Sequence, residues 1–322
     1  MAWQIAQFCE DDIEPIVEFW NRSFSSRRMF RPLASDYFRM RIMGRAAFNP
    51  RAFFIARSDG GIVGLGQVTG TVEKAFLSLL YVAPEFRRGG IGTALLGMVE
   101  PHLKKAEEVR TAAVVMDPVY GASFDEAGSS GLRTRAQWDG PRFSLWGSVE
   151  GIGVPVSDLS TGNFLLKRGF SFADIDFSMR IEGIQPGRFE KKTQITAGGR
   201  RYNINLYDNV YAWRSTPYHY EIPHRDLQLV SGRQVLGDLM WYKWDDSTAV
   251  LFEFQVLRQA RGLGLGRAML SCALADMAEA GCTACELNTG SRRNARAVHV
   301  YRNAGFRVAE AWQTYIETPP AT

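Results

Sequence analysis

Two short glycine loops constrain this chain more than any other feature: Arg87-Arg-Gly-Gly-Ile-Gly92 and Arg261-Gly-Leu-Gly-Leu-Gly266. Both read Arg-x-x-Gly-x-Gly, and Arg261 minus Arg87 is 174, as is Gly266 minus Gly92. An apolar run with strand character precedes each, Phe76 to Val82 and Ala249 to Val256. A run with helical spacing follows each, beginning Ile91, Ala94, Leu95 in the first copy and rich in Ala, Met and Leu in the second. Glycine lets the backbone turn tightly and approach an anion with no Cβ in the way. The N–H groups at the helix start point toward that anion, the helix dipole adds attraction, and the arginine supplies a charged donor. This is how a chain holds a pyrophosphate. One such loop is weak evidence, and two in one context are much stronger. The loops lack the later acid of a dinucleotide fingerprint and the lysine of a P-loop, which argues against a nucleotide-binding oxidoreductase or an ATPase.

Composition sets the frame. The 322 residues suit two domains rather than one. Hydrophobic residues make up 46% and charged residues 22%, the balance of an ordinary globular protein. A net charge of +4 suits an anionic ligand and is too small to indicate nucleic acid. No stretch reaches the roughly 18 apolar residues needed to span a bilayer. Glu10, Asp11 and Asp12 stand where a signal peptide would be basic, so the expected location is the cytoplasm with no membrane partner. The sparse cysteines Cys9, Cys272, Cys282 and Cys285 fit a reducing compartment. Cys282 and Cys285 form a CxxC without the second pair that zinc would need, so they read as buried thiols in a strand, and no metal site is expected.

The chain reads as a repeat of long period. In the first half, strands are expected at Ile5 to Phe8, Ala52 to Ala56, Ile62 to Val68, Phe76 to Val82 and Thr111 to Met116. A helix capped by Asp11 or Asp12 carries Ile13, Ile16, Val17 and Trp20, and another lies near Tyr37 to Ala47. An excursion from Pro118 to about Ser160, with Trp138 and Trp146, is too long for a plain loop. It is expected to shape an acceptor pocket or to pack the halves together. A short helix from Phe164 and a strand from Phe172 to Ile181 close this half. In the second half, strands are expected at Leu227 to Val230, Val235 to Trp244, Ala249 to Val256, Thr283 to Leu287 and Phe306 to Tyr315, with a helix from Arg293 to Asn303. Clustered Gly and Pro place the boundary near Gly183 to Gly187, giving domains 1–183 and 184–322. The second is reduced at its start, because no pair of amphipathic helices is found between Gly187 and Pro223.

Each half resembles the GCN5-related N-acetyltransferase (GNAT) family. The resemblance rests on the loops, on Leu79-Leu-Tyr-Val-Ala-Pro84 before the first, and on a helix-glycine-aromatic ending. That ending is Phe164-Leu-Leu-Lys-Arg-Gly-Phe170 in one half and Val300-Tyr-Arg-Asn-Ala-Gly-Phe306 in the other. It covers most of residues 1–182 and the core of 225–322. The implied fold class is α/β of the α+β type: two units, each a mixed, mostly antiparallel sheet flanked by helices. The implied activity is transfer of an acetyl group from acetyl-CoA to a primary amine by direct attack on the thioester. The alternative is a non-catalytic protein that binds or senses acyl-CoA. Expected partners are acetyl-CoA and an amine acceptor, without nucleic acid; a homodimer stays open.

Site residues follow from the resemblance. Arg87, Arg88, Gly90 and Gly92, and Arg261, Gly262, Gly264 and Gly266, would hold the pyrophosphate. The oxyanion donor of the family would lie near Val82 and near Val256. Tyr301 stands where the family often has an acid for the leaving thiolate; its alternative is packing. Asn294 contacts the cofactor or merely caps its helix. Glu253 and Glu286 are candidate bases, or polar strand residues facing solvent, and His299 reads as a surface residue. The first half has Leu79 and Leu165 where the second has Glu253 and Tyr301. Its excursion supplies Asp117, Asp125, Glu126, Glu150 and Asp158, either a seat for a cationic amine or solvated loop charges.

Overall fold

The computed structural model describes residues 2–26, 28–30, 32–43, 48–70, 74–111, 153–215, 218–290 and 295–317. In chain order these form β1 (Trp3–Gln7), α1 (Ile13–Phe24), α2 (Ser35–Phe38), β2 (Phe53–Ser58), β3 (Gly61–Gly70), β4 (Lys74–Val82), α3 (Ile91–Leu103) and β5 (Glu108–Thr111). Then come β6 (Val154–Pro155), α4 (Leu159–Leu166), β7 (Ser171–Glu182), β8 (Gln194–Ala197), β9 (Arg200–Ser215) and β10 (Tyr218–Ser231). The last elements are β11 (Gln234–Lys243), β12 (Thr248–Val256), α5 (Leu265–Glu279), β13 (Ala284–Gly290), α6 (Ala295–Ala304) and β14 (Arg307–Glu317). The chain forms two compact units that are not contiguous in sequence. Among the described residues one takes 2–111, 153–176 and 312–317, and the other takes 177–311.

The first unit is a mixed sheet in the order β1-β2-β3-β4-β5-β14. Antiparallel pairs join β1 through β4, while β4 and β5 run parallel, with Leu77 opposite Thr111. The last strand of the chain closes this sheet, setting Ile316 opposite Arg110, and β6 pairs with it at Trp312. Strand alternation sends successive side chains to opposite faces, and an extra residue at Val63 in β3 and at Ser78 in β4 switches that alternation. Phe53, Ile55, Leu65 and Leu79 therefore meet Ile13, Ile16 and Phe19 of α1. Phe54, Ala56, Val63 and Leu77 meet Ile91, Leu95 and Val99 of α3 on the other face. Asp12 precedes α1 but does not cap it with its side chain. Its carboxylate accepts from the Cys9 N–H at 2.8 Å and pairs with Arg57, tying the helix entry to β2. The helix expected near Tyr37 to Ala47 is α2 continued by a π-helical turn over Arg39–Met43.

The second unit is a sheet in the order β7-β13-β12-β11-β10-β9-β8. Leu227, Leu229, Leu239, Trp241 and Leu251 face Leu265, Met269, Ala273 and Met277 of α5. Asp276 of α5 is 1% exposed in this core. A buried carboxylate is tolerated only when paired. It is reached by Trp241 Nε1, Arg225 Nε and Lys191 Nζ, each at 3.2 Å. The region after Gly187, where no helices were expected, is filled by β8, β9 and the start of β10. The turn Gly198-Gly199, with positive φ at both residues, joins β8 to β9.

Cys272, Cys282 and Cys285 are buried in this unit, whereas Cys9 is exposed. Burial pushes the Cys272 thiol up to about 11. One thiol in four is therefore expected to react with a disulfide reagent in the native protein at pH 8, and all four in denaturant. More than one fast native thiol would contradict this core.

Candidate active site

The two glycine loops adopt the same conformation. Gly90, with φ +84°, and Gly264, with φ +75°, are the left-handed residues that precede α3 and α5. Ala94 N–H is the first to bond back, to the Gly90 carbonyl at 3.0 Å, and Ala268 N–H does the same to Gly264 at 3.1 Å. The N–H groups of Ile91, Gly92 and Thr93, and of Leu265, Gly266 and Arg267, thus stand before the first helical bond, as at any helix start. Arg87 Nε donates to the Val82 carbonyl at 3.0 Å, and Arg261 Nε to the Val256 carbonyl at 2.7 Å. Each arginine therefore braces the loop on its strand. Among the described residues Arg88 is the sole non-glycine with positive φ, +63°, and its counterpart Gly262 has φ +82°. Glycine is the residue that suits this conformation, so Arg88 keeps a cation at the loop against a local backbone cost. A Cβ on Gly92 or Gly266 would lie 3.7 Å from Val82 Cγ2 or Val256 Cγ2, so helix and strand meet closely in both units.

The strand before each loop carries a β-bulge at the matching place. In β4 the register passes from Leu79 opposite Gln67 to Leu77 opposite Val68, which makes Ser78 the extra residue. In β12 it passes from Glu253 opposite Met240 to Leu251 opposite Trp241, which makes Phe252 the extra residue, 174 positions later. A bulge bends its strand and ends regular pairing. In the second unit the consequence is visible: β12 and β13 pair only from Thr248–Ala284 to Val250–Glu286, although both strands run on.

In the first unit a cavity of about 790 Å³ follows β4 from Leu77 to Val82 and reaches Arg87, Arg88, Gly90 and Gly92. This size suits a small-molecule site. The loop donors, the basic residues and the continuous cavity fit a pyrophosphate with an extended arm. Asp158 borders the loop and caps α4 through Thr161 N–H at 3.1 Å. Burial pushes its carboxyl up, but bonds from Thr161 and Ser160, with the charge of Arg87, leave it below the ordinary range. Leu165 lines the same cavity. Trp312 of β14 also lines it, as do Trp20, Phe24, Phe30 and Tyr81. None of these five aromatic residues was marked as a site residue by the sequence. Trp20 was read only as a core position of its helix, and Trp312 carries no local signal.

In the second unit Tyr301 is 6% exposed, with ring centroids 6.1 Å from Phe254 and 5.7 Å from Phe306. Burial, then the charge of Glu253 and of Cys285, pushes its phenol well above the ordinary value. Glu253 is half-buried on β12 just past the bulge, on the face of Met240 and opposite the α5 core. Glu286 is 1% exposed and accepts from Arg180 Nη1 at 3.3 Å, so it is engaged in an ion pair. His299 is exposed and bonds Asn303 at 2.9 Å. Asn294 lies outside the described residues, as do Asp117, Asp125, Glu126, Trp138, Trp146 and Glu150.

Comparisons with known proteins agree with this geometry. The model of the acetyltransferase (GNAT) family matches residues 13–122 and 200–306, more than half of the chain. Of the solved structures, the tandem GNAT protein from the clavulanic acid biosynthesis pathway aligns over 100% of both chains, with a TM-score of 0.61 at 14% identity. A GCN5-related N-acetyltransferase from Sphaerobacter thermophilus aligns over 98% of this chain and 95% of its own, with a TM-score of 0.60 at 14% identity. At such identities the likeness is one of fold. No curated protein matches in sequence. With both loops, both bulged strands and both matched regions in place, the chain belongs to the GNAT acetyltransferase family, as a tandem member.

Proposed function

We propose that the protein is an N-acetyltransferase that passes the acetyl group of acetyl-CoA to a primary amine of a small or macromolecular acceptor. The observation that carries this reading is the identical loop, brace and bulge in both units, each set at the start of a helix. The chemistry is assigned to the second unit. The amine nitrogen attacks the thioester carbonyl, and a backbone N–H near Val256 stabilises the oxyanion. Glu253 takes the amine proton. The C–S bond breaks as the carbonyl re-forms, and Tyr301 gives its proton to the departing thiolate. Holding donor and amine together supplies much of the rate. The first unit holds a CoA thioester through Arg88, the N–H groups after Gly90 and the cavity along β4, and Val82 is its matching backbone position. Its Leu79 and Leu165 favour a second reading for that unit, in which it binds acyl-CoA without turning it over. Among the described residues no helix is long and apolar enough to cross a membrane, in keeping with a cytoplasmic enzyme.

The test is release of free CoA from acetyl-CoA in the presence of a panel of amines. Turnover with at least one amine is expected, and its absence across aminoglycosides, polyamines, amino acids and peptides would favour the binding reading. Glu253→Gln is expected to lower turnover about 10²-fold while leaving CoA affinity within twofold, checked by steady-state kinetics beside calorimetry. Undiminished turnover would place the base elsewhere.

A further inference from the structure

The cavity of the first unit does not end at the glycine loop. It follows Val82 and Leu80 back to Ser78, about 13 Å of strand, and reaches Trp20, Phe24, Phe30 and Tyr81. Leu80 and Val82 pack with the α3 side of the sheet, whereas Leu79 and Tyr81 pack with the α1 side. The cavity therefore passes the edge of β4 and opens on both faces. On the α1 side of β4 the rings form a wall, with Trp20 and Phe24 centroids 4.1 Å apart and Phe24 and Tyr81 4.7 Å apart.

Charge decides what such a wall can take. Aromatic faces attract cations, but a protein cation already uses this wall: Arg87 lies 5.8 Å over Tyr81. Arg88 lines the same cavity. A cationic amine would meet the like charges of Arg87 and Arg88 in this cavity. Among the described lining residues the sole carboxylate is that of Asp158, which is engaged by Thr161 and Ser160 at the loop end. An amine acceptor would also need a base, and Leu79 stands where the second unit has Glu253. An uncharged apolar group joined to the donor meets none of these objections.

We propose that the first unit binds a CoA thioester whose acyl group is larger than acetyl, a medium-chain or aryl acyl seated against Trp20, Phe24 and Phe30. This rests on the reading of the loop at Arg87–Gly92 as a CoA site. The test uses the full chain carrying Gly264→Asp, which silences the second loop, titrated calorimetrically with CoA, acetyl-CoA and octanoyl-CoA. Octanoyl-CoA is expected to bind at least tenfold more tightly than acetyl-CoA. Burial of two of its six added methylenes is worth roughly that much. Adding Phe30→Asp should bring the octanoyl-to-acetyl ratio close to one, and Phe30→Leu should largely keep it. Equal affinities for the two thioesters, in protein that binds both, overturn the acyl seat and leave the loop reading intact. A ratio unmoved by Phe30→Asp also overturns the seat. Absence of binding by all three ligands overturns the loop reading, and this inference with it.

Discussion

Gly90→Asp is expected to weaken CoA binding at the first loop roughly a hundredfold or more while the chain folds as before. Gly90 precedes α3 with φ +84°, and a Cβ there would meet only Trp3 Cζ2, at the ordinary contact distance of 3.9 Å. Aspartate is among the residues that visit the left-handed region, so the folding cost is about 1 kcal/mol. The binding cost is electrostatic. A carboxylate about 5 Å from a phosphate, at an effective dielectric of about 20, raises the energy by about 3 kcal/mol, roughly 200-fold in affinity. Calorimetry with CoA on Gly90→Asp, beside Gly90→Ala as a control for backbone strain, measures it. Unchanged affinity in a folded Gly90→Asp protein carrying Gly264→Asp as well would show that neither loop binds CoA.

Tyr301→Phe is expected to lower the turnover number by ~10²–10⁴-fold, the usual range for loss of a general acid, with thioester binding retained. The ring is 6% exposed between Phe254 and Phe306, contacts that phenylalanine keeps. The raised phenol is protonated throughout the working range, which is the state an acid must be in. The same shift predicts a structural signature. A folded value above the unfolded one means that stability is fully present below about pH 10 and falls as pH rises beyond it. That alkaline decline should shrink in Tyr301→Phe. Full turnover in the variant, together with a diminished alkaline decline, would make Tyr301 a packing residue alone.

The parts of this protein that could be read from the chain are those whose causes are local. An Arg-x-x-Gly-x-Gly after an apolar strand has few other ways to fold, because Gly90 and Gly264 must take positive φ for the helix to start there. The spacing of 174 carried the loops and, as it turned out, the bulges at Ser78 and Phe252. The hairpin of β8 and β9 also had a local signal: Tyr202 and Ile204 alternate with polar residues after Gly198-Gly199, and both are buried.

Trp312 marks what only the tertiary structure decided. It lines the first unit's cavity because β14 closes that unit's sheet, setting Ile316 opposite Arg110 across more than two hundred residues. A strand's sequence states which of its faces is apolar, through alternation, but not which free edge it will join. Backbone hydrogen bonds are nearly the same along any edge, so the partner is chosen by which edge remains open once the nearer strands have paired. The glycine loops and their helices were thus determined by sequence alone, through local backbone geometry. The walls of the cavity, to which Trp312, Trp20, Phe24 and Phe30 all contribute, were determined by long-range pairing and packing that no short stretch of sequence encodes.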